Sequence, residues 1–147
     1  MKKTALLVFA VAAPLALMDL LTKWLAAAYL REPVALTSWF MLQYRQNTGI
    51  AWSIQIPYVL LMALNFSLVA LFFYFAVKYF DFRKRPMVMA TAFVSAGACG
   101  NIVDRLAHGY VVDFISVGFW PVFNLADAFL TVGIFLILLF YAKIKRT

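Results

Sequence analysis

The sequence predicts an α-helical integral membrane protein with four transmembrane helices, a small extracytoplasmic β-sheet and a surface loop or helix. Three observations support this fold class. Of the 147 residues, 66% are hydrophobic and only 13% are charged. The mean hydropathy is +0.91, and the charged residues lie mainly at the ends of long apolar runs. Because so few polar groups cannot cover an apolar core of this size, lipid is the expected solvent for most of the chain.

Four apolar runs are each long enough to cross a membrane as a helix, which needs about 20 residues. They cover approximately residues 4–21, 57–77, 86–103 and 121–142 of a single membrane domain, residues 1–147. The first run resembles a cleavable signal, but Pro14 would follow the cut and the apolar stretch continues past it. We therefore expect a retained first helix that is kinked at this proline.

The distribution of cations predicts the orientation of these spans. Nine cations lie at the N-terminus, in the second connection and at the C-terminus: Lys2, Lys3, Lys78, Arg83, Lys84, Arg85, Lys143, Lys145 and Arg146. Only four lie in the first and third connections: Lys23, Arg31, Arg45 and Arg105. The positive-inside rule places both termini in the cytoplasm and the connections at about 23–56 and 104–120 outside it. The net charge of +7 therefore indicates topology rather than binding of nucleic acid.

The first outer connection contains two aromatic and β-branched segments, residues 39–44 and 50–54, on either side of Asn47-Thr-Gly49. This pattern predicts a short pair of strands around a turn. We expect Trp39, Trp52 and Trp120 at the depth of the membrane interface, because tryptophan is enriched there.

The carboxylates are few and unevenly placed. Asp81 and Glu32 lie beside cations and are expected to be solvated. The other four occupy the outer ends of spans or the outer loop: Asp19, Asp104, Asp113 and Asp127. A charge in or near hydrocarbon costs roughly 2.5–3.5 kcal/mol on insertion scales at the membrane centre. Such a group usually has a function or a partner, so this cluster predicts a site at one membrane face.

The sequence neighbours divide these four residues. Asp19 and Lys23 are four residues apart and therefore share a helix face. Asp104 is adjacent to Arg105, and Lys23 is within reach in one packing of the spans, which favours a structural, ionised role. Asp113 and Asp127 have only apolar or neutral neighbours.

Two aspartates brought close together share a proton, so one can activate water while the other donates a proton to a carbonyl oxygen. This chemistry hydrolyses a peptide bond without a metal or a covalent intermediate. Any two of Asp104, Asp113 and Asp127 can supply the pair, and the neighbours favour Asp113 with Asp127.

The third span supports a close helix contact near this cluster. Its small residues recur at steps of four and end at Asp104: Ala92, Ala96 and Gly100. Small side chains allow another helix to approach closely. The adjacent helix row ends at Asn101 and Arg105, so these two side chains are presented beside Asp104.

Other hydrolytic chemistries lack their residues. His108 is the only histidine, which excludes the H-E-x-x-H zinc motif, and no serine lies in G-x-S-x-G. We expect no metal and no cofactor. Cys99 is the only cysteine and is expected to be a small buried residue. A proton or ion conductor and a non-catalytic packing subunit are the alternatives; a conductor needs carboxylates spread through the membrane.

Five short segments together resemble signal peptidase II, the bacterial lipoprotein signal peptidase family. They are Asp19-Leu-Leu-Thr-Lys23, Asn47-Thr-Gly49-Ile-Ala-Trp52, Gly100-Asn101-Ile-Val-Asp104-Arg105, Val111-Val112-Asp113-Phe114 and Phe123-Asn124-Leu-Ala126-Asp127. The resemblance covers nearly the whole chain. It implies an aspartyl endopeptidase of the bacterial inner membrane that removes signal peptides from diacylglyceryl-modified prolipoproteins, cutting before the lipidated cysteine.

The resemblance also implies roles for particular residues. Asp113 and Asp127 match the catalytic pair of the family. Several residues match positions that surround this pair and support the site or hold the substrate backbone: Asn47, Gly49, Asn101, Arg105 and Asn124. Three match structural polar positions: Asp19, Lys23 and Asp104. The expected partners are lipidated prolipoproteins and membrane lipid, and the chain is expected to act as a monomer.

One feature departs from the family pattern. Only 13 residues separate Asp113 from Asp127, which is fewer than the family leads us to expect. The connection Ser116-Val-Gly-Phe-Trp-Pro121 is therefore shortened. This change affects substrate gating in our interpretation and removes no catalytic group.

Overall fold

The computed structural model describes residues 2–50 and 54–146, and within these it is mainly helical. The helices are α1 (Lys2–Tyr29), α2 (Tyr58–Tyr79), α3 (Arg85–His108), α4 (Leu125–Leu139) and the short α5 (Tyr141–Ile144). The strands are β1 (Val34–Ala35), β2 (Phe40–Asn47) and β3 (Val111–Val117). The strands β1 and β2 lie between α1 and α2, and β3 lies between α3 and α4. The sheet is therefore at the end of the bundle where α1 and α3 finish.

Three of the described helices, α1, α2 and α3, are long and apolar enough to cross a membrane. The helix α4 is apolar but has only 15 residues. The predicted fourth span, 121–142, is wrong in its bounds, because the helix begins after the N-cap residue Asn124 and is interrupted at Phe140. The membrane character of the prediction therefore holds, with three candidate spans in the structure.

Two helices extend beyond their predicted outer ends. The helix α1 continues to Tyr29, which places Lys23 on a helix rather than in a loop. The helix α3 continues to His108 and ends at Gly109, whose positive φ of 82° suits the glycine C-cap. The predicted loop boundaries at 23 and 104 are therefore wrong. Burial of Lys23 and Asp104 against partners explains why the helices continue through these charged residues.

The helix α3 lies at the centre of the bundle and packs mainly against α4 and α1. Its small residues Ala92, Ala96 and Gly100 are buried, as the step of four predicts. A side chain at Gly97 would collide with the backbone oxygen of Ala126, and one at Gly100 would collide with Asp19. Small residues on α3 therefore allow the close approach that brings the ends of three helices together.

The sheet is antiparallel with the order β1-β2-β3. The first strand of the predicted pair around Asn47-Thr-Gly49 is present as part of β2, and the described ends of the second, Ile50 and Ile54, are not in a strand. The strand β2 pairs with β1 and with β3, with Asn47 opposite Val111 and Arg45 opposite Asp113. Trp52 and the centre of the predicted second strand lie outside the described residues. The described parts of the two connections contain no separate surface helix beyond α1 and α3.

Candidate active site

The polar residues predicted from the sequence meet at one end of the bundle, which we call the polar end. The C-terminal half of α1 contributes Asp19 and Lys23, and the last turns of α3 contribute Asn101, Asp104 and Arg105. The first turn of α4 contributes Asp127, its N-cap is Asn124, and β2 and β3 contribute Asn47 and Asp113. Five elements therefore build one polar cluster.

Asp113 is held by two amide side chains. It is 3% exposed on β3. Its Oδ2 accepts a hydrogen bond from Asn47 Nδ2 at 2.9 Å, and its Oδ1 accepts one from Asn124 Nδ2 at 2.7 Å. The site therefore fixes the orientation of this carboxyl group with neutral donors.

Asp127 lies in the first turn of α4 and is also held by neutral donors. Its Oδ1 accepts a hydrogen bond from Asn101 Nδ2 at 2.8 Å, and its Oδ2 accepts one from the Asn124 backbone at 3.3 Å. In return Asn124 Oδ1 accepts from the Asp127 backbone at 2.9 Å, which completes a capping box. A motif that begins a helix therefore also positions this carboxyl group.

Asn124 joins the two aspartates. Its side chain is fully buried, and its Nδ2 approaches Asp113, Asn101 and the Val112 backbone oxygen. Its Oδ1 and backbone amide serve Asp127. One amide residue therefore connects β3 to α4, and it holds both carboxyl groups at the same point of the structure.

A separate ionic cluster lies beside the aspartate pair. Lys23 Nζ is 2.8 Å from Asp19 Oδ2 and 3.2 Å from Asp104 Oδ2, and these three side chains are almost completely buried. Asp19 Oδ1 also accepts from the Ala126 backbone at 2.8 Å, and Asp104 Oδ2 from the Val112 backbone at 3.0 Å. The ionic cluster therefore fastens α1 to α3, to α4 and to β3.

Asn101 connects the ionic cluster to the aspartate pair. Its Oδ1 accepts hydrogen bonds from Lys23 Nζ at 3.0 Å and from Asn124 Nδ2 at 3.2 Å, and its Nδ2 donates to Asp127. Because Lys23 occupies the oxygen of this amide, the nitrogen must face Asp127. The lysine therefore orients a donor to the pair without contacting it.

Arg105 holds the connection after β2. Its Nη2 donates to the Gly49 backbone oxygen at 3.2 Å, and the Gly49 amide donates to Asn47 Oδ1 at 3.0 Å. Its own backbone oxygen accepts from the Tyr58 hydroxyl at 2.9 Å. Although Arg105 is adjacent to Asp104 in the sequence, its guanidinium contacts the turn at Gly49 and, among the described residues, forms no ion pair with Asp104. The hydrogen bond from Tyr58 to Arg105 was not predicted. The only sequence feature that could have indicated it is the position of Tyr58 at the outer start of the second apolar run.

A cavity of about 330 Å³ opens beside the aspartate pair. Asp113, Asp127, Asn47, Asn101 and Arg105 form its polar wall. Its other wall includes Trp120 and Pro121 of the connection between β3 and α4, followed by Val122 and Phe123. A peptide segment that enters this cavity meets both carboxyl groups, with donors from two asparagines behind them.

The environment of Asp113 favours retention of a proton. Burial is the largest influence and raises the pKa of Asp113 from 3.8 to about 6. The hydrogen bond from Asn47 opposes this rise, the negative charge of Asp127 adds to it, and the hydrogen bond from Asn124 opposes it. A pKa near 6 suits a group that exchanges a proton during acid–base chemistry.

His108 and Cys99, the only histidine and the only cysteine of the sequence, do not line this cavity. Among the described residues, no group of three or more histidine, cysteine or acidic side chains can hold a metal ion. The ring of His108 packs against Tyr110 at 5.7 Å. Cys99 is exposed on the outside of the bundle, so the prediction that it is buried is wrong. It lies on the face of α3 opposite to the small residues that contact α4.

Comparison with solved structures identifies the class of protein. Two structures described as a bacterial membrane enzyme determined by the in meso method, at 2.3 and 1.9 Å resolution, match the chain with TM-scores of 0.79 and 0.74. Both are 28% identical to it. The first match covers 92% of this chain and 87% of the other, and the second covers 90% of each. The fold is therefore that of a bacterial membrane enzyme.

Sequence comparison identifies the family. The model of the signal peptidase (SPase) II family matches residues 11–143. The lipoprotein signal peptidase of Chlorobaculum tepidum is 35% identical over 88% of this chain and 90% of its own length. That of Dehalococcoides mccartyi is 37% identical over 85% of this chain and 82% of its own. The chain belongs to the signal peptidase II family, which confirms the resemblance, and membership implies a protease that cleaves lipoprotein signal peptides.

Proposed function

We propose that the chain is an aspartyl endopeptidase that removes the signal peptide from diacylglyceryl-modified prolipoproteins and cuts before the lipidated cysteine. One observation carries this proposal. Asp113 and Asp127 share the bridging residue Asn124, line the same cavity and, among the described residues, form no ion pair with a cation. They are the carboxylates of the polar end that are free to exchange a proton.

In this mechanism the two carboxyl groups hold one proton between them. The ionised group removes a proton from a water molecule, which attacks the scissile carbonyl carbon. The protonated group donates its proton to the carbonyl oxygen as the tetrahedral intermediate forms. The peptide C–N bond then breaks: the first carboxyl group gives the proton taken from water to the leaving amine nitrogen, and the second takes a proton from a hydroxyl of the intermediate, which restores one proton on the pair. Asn47, Asn101 and Asn124 keep both groups oriented during the exchange, because each donates to a carboxyl oxygen.

We further propose that the chain crosses the bacterial inner membrane four times, with both termini in the cytoplasm and the polar end at the extracytoplasmic face. The fourth crossing consists of α4 continued by α5. Although α4 alone is short, α4 and α5 together run from Leu125 to Ile144, a length of about 30 Å at helical rise. Close packing of α4 against α3 supports this arrangement.

The position of the charged side chains also favours a peptidase over an ion conductor. The acidic and basic side chains of α2, α3 and α4 lie at or near the ends of these helices: Lys78, Arg85, Asp104, Arg105, His108 and Asp127. A proton relay needs such groups along the path through the membrane. The middle of these helices offers none.

The substrate of this proposal fits the site at the membrane surface. The acyl chains of a lipidated cysteine can remain in the bilayer while the scissile bond enters the cavity beside Asp113 and Asp127. The apolar residues of the shortened connection then contact the signal peptide, and Phe119, which is 91% exposed, and Trp120 lie at its tip. We expect a monomer to suffice, because both carboxyl groups come from one chain.

The test is incubation of the purified full chain with two precursors of identical sequence, one carrying diacylglycerol on its cysteine and the other unlipidated. We expect cleavage of the lipidated precursor alone, just before the modified cysteine. Equal cleavage of both precursors would contradict the proposed substrate class. Absence of cleavage of either, by chain that is folded and inserted, would contradict the proposed activity.

A further inference from the structure

The opposite end of the bundle, which we call the basic end, contains an ordered C-terminal segment and a cluster of cations that the peptidase chemistry does not use. There the C-terminal segment, Tyr141–Arg146, lies along the connection between α2 and α3. The Asp81 amide donates to the Ile144 backbone oxygen at 2.7 Å, and the Arg146 amide donates to the Tyr79 backbone oxygen at 2.9 Å. These two bonds flank an antiparallel bridge between Phe80 and Lys145, directly after the short helix α5.

Apolar packing fixes the same segment. Ile144 is fully buried and forms a small core with Ala76 of α2 and Met87 of α3. Phe80 and Phe140 pack against this core. The C-terminal segment is therefore an anchored part of the fold, and its side chains are presented from a defined backbone.

The anchored segment and the connection border an open, strongly basic cavity of about 920 Å³. Its lining contains six cations and one acid: Arg83, Lys84, Arg85, Lys143, Lys145, Arg146 and Asp81. The acid is 3.9 Å from Arg83, whose side chain is 94% exposed, so this pair neutralises little of the charge. Among the described residues the other five cations form no ion pair, and the cavity thus has a large excess of positive charge.

A second cavity of about 520 Å³ adjoins the first and has aromatic walls. Phe75, Phe80 and Tyr141 line it together with Tyr79 and Lys78. Lys145 and Arg146 line both cavities. The open basic cavity therefore continues into a largely apolar groove, and Lys145 and Arg146 lie at the junction.

We propose that the basic end is a binding site for an anionic phospholipid, separate from the peptidase site. The phosphate of the headgroup occupies the basic cavity, and one acyl chain lies along the aromatic groove. Basic pockets between membrane helices on the side that carries the positive charge suit such headgroups, because each cation near the surface attracts the anionic phosphate. The aromatic groove gives the ligand an apolar part, which a soluble phosphate compound lacks.

The experiment uses the full chain in an uncharged detergent, with binding followed by native mass spectrometry. The probes are phosphatidylglycerol and phosphatidylcholine with the same acyl chains, glycerophosphoglycerol and inorganic phosphate. We expect phosphatidylglycerol to bind at least about tenfold more tightly than the other three. If phosphatidylcholine bound equally, the cations would have no role. If either water-soluble phosphate competed equally, the site would be a phosphate site and not a lipid site, and either result would overturn the proposal.

The variant that tests the location combines Lys145→Gln with Arg146→Gln, at the junction of the two cavities. Both side chains are exposed, and the backbone bond of residue 146 is retained. The matched control combines Lys2→Gln with Lys3→Gln, which removes the same charge from the N-terminus and from neither cavity. We expect about tenfold weaker binding of phosphatidylglycerol for the first and less than about twofold for the control. Equal losses would show general surface attraction and overturn the proposed site.

A second variant covers the case in which the first is not inserted correctly. Lys84→Gln with Arg85→Gln acts on the other wall of the basic cavity and leaves the C-terminal segment intact. Cleavage of a lipidated precursor at an unchanged rate confirms that each variant is folded, because none of these residues lies near the aspartates. A folded variant of the second kind that binds phosphatidylglycerol as the unaltered chain does would contradict the proposal.

Discussion

Two groups of carboxylates lie at the polar end, and they differ in what holds them. Asp19 and Asp104 contact the ammonium group of Lys23, whereas Asp113 and Asp127 contact amide groups of asparagines. Both groups are largely shielded from solvent, and both include a carboxylate that accepts a hydrogen bond from a backbone amide at a helix start or in a strand. The difference between them is therefore one of charge, since only the first group has a cation as its direct partner.

This difference separates support from chemistry. A buried ion pair is costly to disrupt, because loss of one partner leaves an uncompensated charge. An amide donor orients a carboxyl group in either protonation state without supplying a charge. The group held by amides can therefore exchange protons during a reaction, while the group held by Lys23 keeps three helices together. Substitutions of Asp113 or Asp127 should consequently reduce activity, whereas substitutions in the Lys23 cluster should reduce stability.

The largest expected effect follows Asp113→Asn or Asp127→Asn. Each change preserves the shape of the side chain and removes its ability to exchange a proton. We expect the rate of cleavage of a lipidated precursor to fall by about 10²–10⁴-fold, the usual contribution of a positioned acid or base. The measurement is kcat/KM with purified protein.

The matched control for these two variants is Asp81→Asn, which neutralises an acid at the basic end. It should retain the full rate and normal insertion. If either Asp113→Asn or Asp127→Asn processed the precursor at the normal rate, the assignment of the pair would be wrong.

Substitution of the cation in the ionic cluster should lower the stability of the protein. Lys23→Met leaves Asp19 and Asp104 buried without their cation, and we expect a loss of about 3–5 kcal/mol in the free energy of unfolding. The control is Arg83→Met, which breaks an exposed pair and should cost less than about 1 kcal/mol. Thermal unfolding in detergent measures both.

Asp104→Asn sharpens the same comparison. It should reduce the yield of folded protein at least as much as it reduces activity, because Asp104 joins Lys23 to the backbone of β3. Full expression with no activity would instead move Asp104 into the catalytic pair.

The division into two groups could be predicted only in part from the sequence. The Asp19–Lys23 pair is a contact within one helix, so its spacing of four residues predicted it correctly. Contacts between distant segments were not accessible in this way. The bond from Asn47 to Asp113 joins residues 66 positions apart, and the expected partner of that strand was its nearest sequence neighbour. Pairing of β2 with β3 depends on how α3 is placed, which local patterns do not encode.

The same limit applied to individual side chains. The sequence neighbours placed Arg105 beside Asp104, and the resemblance placed it around the aspartate pair. Neither indicated that its guanidinium reaches the Gly49 backbone oxygen 56 positions away. The family resemblance correctly brought Asn47, Asn101 and Asn124 to the surroundings of the aspartates, but it did not indicate that Asn124 contacts both of them. That role became visible only from the hydrogen bonds.

Asn124 is the residue whose loss should weaken the pair without removing either carboxyl group. Asn124→Ala deletes the donor to Asp113 and the acceptor for the Asp127 amide. We expect kcat/KM to fall about tenfold to a hundredfold, as for loss of a hydrogen bond to a charged group, with about 1 kcal/mol of stability lost at the helix cap. Asn65→Ala is the control, because that amide donates to the Leu61 backbone oxygen within α2, away from both aspartates. An equal loss of activity in Asn65→Ala would contradict the proposal that Asn124 supports activity by holding both aspartates.

The smallest expected effect concerns pH and separates the proton-sharing pair most directly from the ionic cluster. Because burial raises the pKa of Asp113 to about 6, the carboxyl group holds a proton below that pH and loses it above. If the reaction needs one proton on the pair, kcat/KM should fall as the pH rises through about 6. Asn47 donates to the ionised form and so lowers this pKa. Asn47→Ala should therefore move the falling limb of the profile to higher pH, by about one unit or less.

Thr48→Ala provides the neighbouring control for the pH experiment, since the Thr48 hydroxyl bonds to Gln55 and not to an aspartate. It should leave the limb in place. A limb that moved to lower pH in Asn47→Ala would mean that the amide stabilises the protonated carboxyl group. An unmoved limb would mean that the titrating group is not Asp113. Either result would break the link between the amide partners and proton exchange on which the comparison of the two carboxylate groups depends.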